Sequence, residues 1–214
     1  MSITANLKEI LKRCGPKVKL IVVTKNRTIE EIEEVLKTPS VDIGENRIQE
    51  ASIKFEQLKT TTQKHLIGHL QSNKVKQAVK LFDMIQSVDS PKLAKKLNEE
   101  CSKQNKQMPI LLQINIANDP NKYGFKKEDL SSIIKEIDEL SHLSIKGLMT
   151  IVPYVDMPEN ARPHFTAMKE LLEKVKIEYP TIELEELSMG MSHDHSIAIE
   201  EGATMIRIGR KIFE

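Results

Sequence analysis

Short apolar runs alternate with amphipathic stretches along nearly the whole chain. The apolar runs are rich in β-branched residues, as buried strands are, and the stretches between them carry apolar residues at helical spacing. Eight runs predict strands, over residues 18–24, 41–43, 65–67, 84–86, 109–116, 143–149, 183–187 and 204–208. Because a helix is predicted after every run but the last, the order indicates βα units and a parallel sheet.

Local signals mark where several of the predicted helices begin. Thr28 is expected to cap a helix over residues 28–36, and Ser90 with Pro91 is expected to open another. The other predicted helices cover residues 3–13, 46–58, a stretch from about 72, 127–140, 159–177 and 194–201.

Eight strands within 214 residues favour a closed (β/α)₈ TIM barrel over an open, doubly wound sheet. Only six residues follow the eighth strand, so no closing helix is predicted, and the extra N-terminal helix is expected to cover the gap. No linker or low-complexity tract interrupts the alternation. We therefore expect residues 1–214 to form a single domain.

Composition limits the classes of partner. The chain has 32 Lys and Arg against 31 Asp and Glu, a balance that does not favour nucleic acid or an anionic membrane. It has no stretch of about 20 apolar residues that could span a bilayer and no signal-peptide core. Cys14 and Cys101 lack the spacing of a metal site or a disulfide framework. We expect a cytoplasmic protein and, without an exposed apolar stripe, a monomer.

In such a barrel the chemistry lies on the loops after the carboxyl ends of the strands. Residues 188–192 form a small-residue loop that enters a helix, and Gly209 follows Arg207 on the next strand. Backbone N–H groups in such a loop bind anions, and the last two loops are the usual phosphate site of the fold. A phosphate site and an ordinary helix cap beside a solvated arginine both remain open.

Lys25 directly follows the first strand, so its amine is expected at the mouth of the barrel beside apolar walls. Desolvation and nearby positive charge lower the pKa of a lysine, and the neutral amine is the form that attacks an aldehyde. From position alone, a solvated lysine is the simpler interpretation.

Asn46 and His69 also follow strands. Asn46 could bind a ligand or cap its helix, and His69 could stack on a ring or have no ligand. His193 and His195 lie two residues apart on a predicted helix and so face different directions, which argues against a shared metal ion.

Seven segments between the first strand and the C-terminus form a specific set: VVTKNRT at 22–28, IGENRIQE at 43–50, HLIGHLQSNK at 65–74, SVDS at 87–90, GLMTI at 147–151, LSMGMSHD at 187–194 and GATMIRIGRKIF at 202–213. With these segments in this order, the sequence resembles the pyridoxal phosphate (PLP) homeostasis protein family, also called the proline-synthase co-transcribed family. The resemblance covers nearly the whole chain.

The resemblance implies a barrel like the N-terminal domain of alanine racemase, without that enzyme's second domain. It implies that PLP forms a Schiff base with Lys25 and that Arg207 faces the pyridine nitrogen. The other cofactor-binding residues that it implies are Asn46, His69 and Met149 around the ring, and Ser188, Ser192, Gly209 and Arg210 around the phosphate group.

These implied roles favour binding over turnover. An arginine does not give up its proton, so the pyridine ring stays unprotonated and is a weaker electron sink. Alanine racemase has the same arrangement but takes a tyrosine from its second domain as a second base. Here Tyr123, Tyr154 and Tyr179 lie in no motif that implies that role.

The sequence therefore predicts a non-catalytic PLP-binding protein of intracellular PLP (vitamin B6) homeostasis, with PLP as its partner and PLP-dependent enzymes as recipients. A PLP-dependent amino-acid racemase is the alternative. A phosphosugar isomerase or aldolase is a third hypothesis, in which Lys25 attacks a carbonyl and Glu45 supplies the acid/base carboxylate.

Overall fold

The computed structural model describes residues 2–214, and its strands close into a parallel barrel. Each strand pairs with the next, and β1 also pairs with β8. The strands β1 to β8 span Lys19–Val23, Val41–Glu45, Lys64–Leu66, Met84–Val88, Met108–Gln113, Leu143–Met149, Glu186–Ser188 and Met205–Ile208. The predicted (β/α)₈ barrel is confirmed.

Helices lie between the strands and before the first of them. Thr28 caps the helix Ile29–Leu36 in a reciprocal capping box with Glu31, and the Ser90 side chain accepts a hydrogen bond from the backbone of Leu93 at the start of the helix Pro91–Lys103, as predicted. The helices α1 to α9 span Ile3–Cys14, Ile29–Leu36, Ile48–Gln57, Val75–Leu81, Pro91–Lys103, Leu130–Asp138, Arg162–Glu178, His195–Glu200 and Arg210–Phe213.

Three helices begin later than the pattern predicts because a 3₁₀ turn precedes each of them. These turns are Ser72–Lys74 before α4, Lys127–Asp129 before α6 and Pro158–Ala161 before α7. A 3₁₀ turn has a periodicity close to that of an α-helix over so few residues, so the apolar spacing does not separate the two.

Strands β2 and β4 end two residues later than predicted, and two other strands differ by three residues at one end. Strand β5 ends at Gln113, although the apolar run continues to Ile116, and β7 begins at Glu186 rather than at residue 183. Ile114, Ile116 and Leu184 are buried all the same. An apolar run in the sequence indicates which residues are buried. The bounds of a strand depend instead on which backbone groups form hydrogen bonds with the neighbouring strand.

The prediction that no helix follows the eighth strand is wrong, because α9 adds one helical turn. Helix α1 packs against α2, β1 and α9. The side-chain amide of Asn6 on α1 donates to the carbonyl of Ile212 on α9 at 3.0 Å. The two helices together cover the seam between the first and last strands.

The core has two parts. Most buried apolar side chains lie between the helices and the outer face of the barrel, and a smaller cluster, Ile21, Met84, Leu111, Met149 and Met205, packs in the barrel interior. Burial on both faces explains why strands such as β4 lack polar–apolar alternation. Across residues 2–214, no helix combines the length and the apolar character needed to cross a membrane.

Gly147 on β6 provides a test of the sheet packing. Its φ is +152°, and a Cβ at this position would lie 1.8 Å from the carbonyl oxygen of Glu186 on β7. We expect Gly147→Ala to lower the free energy of unfolding by at least about 2 kcal/mol more than Gly15→Ala, because overpacking adds to backbone strain. Gly15 also has a positive φ but has nothing within 4 Å of an added Cβ. Urea unfolding measures both, and equal losses would contradict the prediction.

Candidate functional site

A cavity of about 260 Å³ opens at the carboxyl ends of the strands, between the loops after β1, β2, β6, β7 and β8. Its volume is near the lower end of the range for small-molecule sites, about 300–1,000 Å³. Six of the nine predicted cofactor-binding residues line it: Lys25, Asn46, Ser192, Arg207, Gly209 and Arg210.

Lys25 lies in a tight turn directly after β1. The backbone N–H of Arg27 donates to the carbonyl of Thr24 at 3.1 Å, which makes Lys25 the second residue of a four-residue turn. Asn26, the third residue, has a φ of +59°, a conformation that asparagine adopts more readily than most residues. The turn leaves Lys25 exposed at the cavity.

Arg207 places a buried positive charge at the cavity. The residue is 3% exposed, and its guanidinium donates to Ser188 Oγ and to the carbonyl of Thr150, both at 2.7 Å. Burial lowers the pKa of Arg207 to about 10, and the negative charge of Asp194 opposes that decrease. The guanidinium therefore stays charged at neutral pH.

A chain of hydrogen bonds through the barrel interior holds Arg207. Ser188 Oγ donates to Gln86 Oε1 at 2.6 Å, Gln86 Nε2 lies 3.0 Å from His65 Nδ1, and His65 Nε2 lies 3.2 Å from Asp42 Oδ2. Because an arginine can only donate, the Ser188 hydroxyl must donate to the oxygen of Gln86. The amide of Gln86 then donates to His65 Nδ1, which leaves the ring proton on Nε2, facing Asp42. One permanent charge thus sets the direction of the whole chain.

Unpaired polar groups surround the cavity. The backbone N–H groups of Ser192, Gly209 and Arg210 donate to no other group of the described chain. Together with the Arg210 side chain, they form a donor set suited to an anion. Asn46 directly follows β2, and its Oδ1 is buried and has no hydrogen-bond partner. These residues fit a small ligand that carries both a phosphate group and a hydrogen-bonding ring.

The chain matches the family model described as alanine racemase, N-terminal domain, over residues 1–213. It is similar to curated relatives named pyridoxal phosphate homeostasis protein. That of Synechocystis is 40% identical over 207 residues, with 96% of this chain and 94% of that protein covered. That of Aquifex aeolicus is 39% identical over 196 residues, with 91% and 86% covered. This chain belongs to the pyridoxal phosphate homeostasis protein family.

Solved structures agree with this family assignment. PipY of Synechococcus elongatus, a structure with PLP bound, superimposes with a TM-score of 0.92 at 33% identity, over the whole of both chains. The PLP-free form of PipY gives 0.95 at 35% identity. Alanine racemase of Clostridium difficile gives a TM-score of 0.78 at 19% identity, and this chain covers 55% of it. At that identity the likeness shows the barrel fold alone.

Three residues predicted from the family resemblance do not line the cavity. Ser188 is fully buried and contacts Arg207 from within the barrel, and Met149 belongs to the apolar interior cluster. His69 lines an adjacent groove, which shares Asn46 with the cavity. Its ring stacks on Tyr123 at 3.7 Å between centroids. Met149 and Ser188 are the last residues of their strands and His69 lies in the loop after β3, but which way each side chain points depends on the closed barrel.

One residue that lines the cavity, Tyr154, was not predicted as a site residue from the sequence. Tyr154, in the loop after β6, lines the cavity while 78% exposed. Its ring lies 5.5 Å from that of His193. The available signal was the long stretch between β6 and α7, since loops of such length are often functional. Similarly, Gln86 and Ser87 are polar residues inside the fully buried strand β4, which indicates interior hydrogen bonds.

The structure also bears on two other hypotheses, which concern Glu45 as an acid/base group and a metal ion shared by His193 and His195. Glu45 is fully buried, bonded to Thr24 and Lys54, and does not line the cavity, so it is not placed as the acid/base group of an aldolase. His193 is exposed, whereas His195 is buried. Within residues 2–214, no group of three or more His, Cys, Asp or Glu side chains is placed to hold a metal ion.

His195, the buried first residue of α8, leads us to expect that the stability of the protein depends on pH. It is 2% exposed, and neither ring nitrogen has a hydrogen-bond partner. Burial lowers its pKa from the ordinary 6.5, the charges of Lys211 and Arg13 lower it further, and the nearby backbone of Met191 and Ser192 offsets only part of the decrease. Below pH 6.5 the unfolded chain therefore binds a proton that the folded chain resists.

We expect this histidine to make the free energy of unfolding fall as the pH drops below about 6.5, by at most about 1.4 kcal/mol per pH unit. In His195→Leu this contribution should be absent, so that the free energy of unfolding of the wild type should fall relative to that of the variant as the pH falls. Urea unfolding at pH 5, 6 and 7 measures it. Parallel pH profiles for the two proteins would rule the prediction out.

Proposed function

We propose that this protein binds pyridoxal 5′-phosphate through a Schiff base on Lys25 and acts in intracellular PLP homeostasis, as one PLP-binding domain without a turnover reaction of its own. The observation that carries the proposal is the single cavity that combines an exposed lysine, a buried arginine and unpaired N–H groups. The names of the relatives and the PLP-bound PipY support it.

The phosphate side of the proposal rests on Ser192, Gly209 and Arg210. A phosphate monoester carries about two negative charges at neutral pH, and the unpaired N–H groups of these residues are donors with no internal acceptor. Arg210 adds a guanidinium at the same wall. Binding there would orient the rest of the cofactor across the cavity toward Lys25.

The covalent side rests on Lys25. PLP supplies an aldehyde. The neutral amine of Lys25 attacks the aldehyde carbon, forms a C=N bond and releases the aldehyde oxygen as water. Asn46 lines the same space with an unsatisfied acceptor.

Arg207 restrains further chemistry in this proposal. Two of its five N–H groups are used by Ser188 and Thr150, so donors remain for the pyridine nitrogen. A ring nitrogen that accepts from an arginine stays unprotonated and withdraws electrons less strongly. A cytoplasmic location, a monomeric state and PLP-dependent enzymes as recipients stay predictions from the sequence.

Lys25→Ala tests the covalent link. We expect the purified wild-type protein with PLP to show the visible absorbance of a Schiff base, and borohydride reduction followed by peptide mapping to place a pyridoxyl group on Lys25. Both signals should be lost in Lys25→Ala, because no other lysine lines the cavity among the described residues. Lys37→Ala, an exposed lysine at the far end of α2, is the matched control and should keep both. An adduct on another lysine would contradict the proposal.

The racemase alternative has one specific observation in its favour. Tyr154 lines the cavity, and a racemase needs a second acid/base group on the face of the substrate opposite the lysine. Against it, Tyr154 lies in a loop, is largely exposed and contacts His193 rather than a group that would activate it.

Turnover separates the two functions. With PLP bound and a panel of L-amino acids in D₂O, we expect neither D-enantiomer nor α-deuterium above the level that free PLP gives, because the unprotonated ring disfavours a carbanion. Chiral chromatography and NMR measure the two products. Turnover that disappears in both Lys25→Ala and Tyr154→Phe would establish the racemase instead.

A further inference from the structure

A buried network, the turn clamp, lies behind the turn that carries Lys25. It consists of Thr24, Glu45, Glu50 and Lys54. The Lys54 side chain is 8% exposed, and its ammonium donates to Glu45 Oε1 at 2.8 Å, to Glu50 Oε1 at 2.6 Å and to the carbonyl of Thr24 at 2.5 Å. A lysine has three N–H groups, so every donor of Lys54 is used inside the clamp.

The clamp contacts the backbone on both sides of Lys25. The carbonyl of Thr24, just before it, accepts from Lys54, and the Thr24 hydroxyl donates to Glu45 Oε1 at 2.6 Å. The backbone N–H of Asn26, just after it, donates to Glu50 Oε1 at 2.5 Å. The Cα of Lys25 is therefore held between two fixed peptide groups, although its own side chain is exposed.

Stability alone does not explain such a network. Buried ion pairs are often no more stabilising than apolar side chains of the same volume. Here one carboxylate oxygen, Glu45 Oε2, has no partner at all. A polar group left unsatisfied in the interior lowers stability, and such arrangements are concentrated near functional sites.

We propose that Lys54 is a positioning residue that orients the Lys25 amine for Schiff-base formation without itself touching PLP. The inference rests on the proposed function and extends it to a residue outside the cavity. Lys54 lies on α3 and is absent from the cavity lining. Its contribution acts through the Thr24 carbonyl, and that of Glu50 acts through the Asn26 N–H.

The expected effect is on the covalent step and not on binding as such. The amine must approach the aldehyde carbon along a defined direction, and displacement of a reacting group by about 1 Å can cost on the order of 100-fold in rate. Without the clamp the turn must also be ordered when the imine forms, which lowers the equilibrium constant of the covalent step. The hydrogen bonds of Lys54 and of the Thr24 hydroxyl go to groups in and around the clamp, and none goes to the loops after β7 and β8. Recognition of the phosphate and ring should therefore persist without it.

The experiment compares PLP with 4′-deoxypyridoxine 5′-phosphate, which lacks the aldehyde and cannot form an imine. In Lys54→Met we expect at least a tenfold weaker apparent affinity for PLP and a similar loss in borohydride-trapped adduct at limiting PLP. Affinity for the deoxy compound should change by less than twofold. Lys169→Met removes a lysine from the exposed Lys169–Glu173 pair on α7 and is the matched control, expected to behave as wild type.

Two further variants cover the case in which Lys54→Met does not fold. Glu45→Gln/Lys54→Met removes the two most buried charges of the clamp and leaves only that of Glu50, whose side chain is 22% exposed. This variant should show the same selective loss for PLP. Glu50→Ala removes the acceptor of the Asn26 N–H and one of the three acceptors of Lys54, and it leaves the contacts of Lys54 to Glu45 and Thr24. The Glu50 side chain is 22% exposed, and we expect a smaller loss of the same kind.

The outcomes separate the inference from the function on which it rests. Equal weakening for PLP and the deoxy compound would mean that Lys54 has a general structural role, which overturns the inference. Unchanged trapping in a folded variant overturns it too. Absence of any pyridoxyl adduct on Lys25 in the wild-type protein would instead overturn the proposed function itself.

Discussion

The pairing of β1 with β8 is the constraint on which the candidate site depends. These strands come from opposite ends of the chain, and their register places Ile21 beside Arg207 and Val22 beside Ile208. The turn that carries Lys25 follows one strand, and the loop of Gly209 and Arg210 follows the other. Closure of the sheet alone brings the amine, the buried guanidinium and the loop proposed to bind phosphate to one opening, since a parallel barrel gathers all its carboxyl ends at one face.

The inside of the barrel has two roles, arranged in layers. Apolar side chains fill one layer, and the interior hydrogen-bond chain from Asp42 to Arg207 crosses another. A buried charge is tolerated only when it is well hydrogen-bonded. The carbonyl of Thr150 and the hydroxyl of Ser188 meet that need for Arg207. These hydrogen bonds therefore take the place of water around the Arg207 guanidinium and fix its orientation at the cavity.

This chain belongs to the pyridoxal phosphate homeostasis protein family, and the arrangement of its site can be related to the chemistry of that cofactor. A protein that holds a reactive aldehyde needs an amine that captures it and surroundings that do not drive further reaction. The turn clamp would serve the first need and Arg207 the second. Arg207 and Lys54 are buried and lie on β8 and α3, and such regular elements hold groups more firmly than loops do.

The sequence by itself determined the order of elements, the caps at Thr28 and Ser90, and the loops on which the chemistry lies. These follow from local periodicity and from short-range hydrogen bonds, which a single stretch of chain contains. The same information located Lys25 and Arg207 at strand ends, and the family resemblance supplied their roles.

Only the tertiary structure decided which way side chains at those ends point and what they contact. Ser188 turns inward to Arg207, His69 turns to Tyr123, and Tyr154 reaches the cavity from a loop without a strong pattern. Lys54 has the spacing of an ordinary lysine in an amphipathic helix, yet it is buried against the turn of Lys25. Such contacts join residues far apart in sequence, and they exist only once the barrel has closed and fixed the direction of every strand.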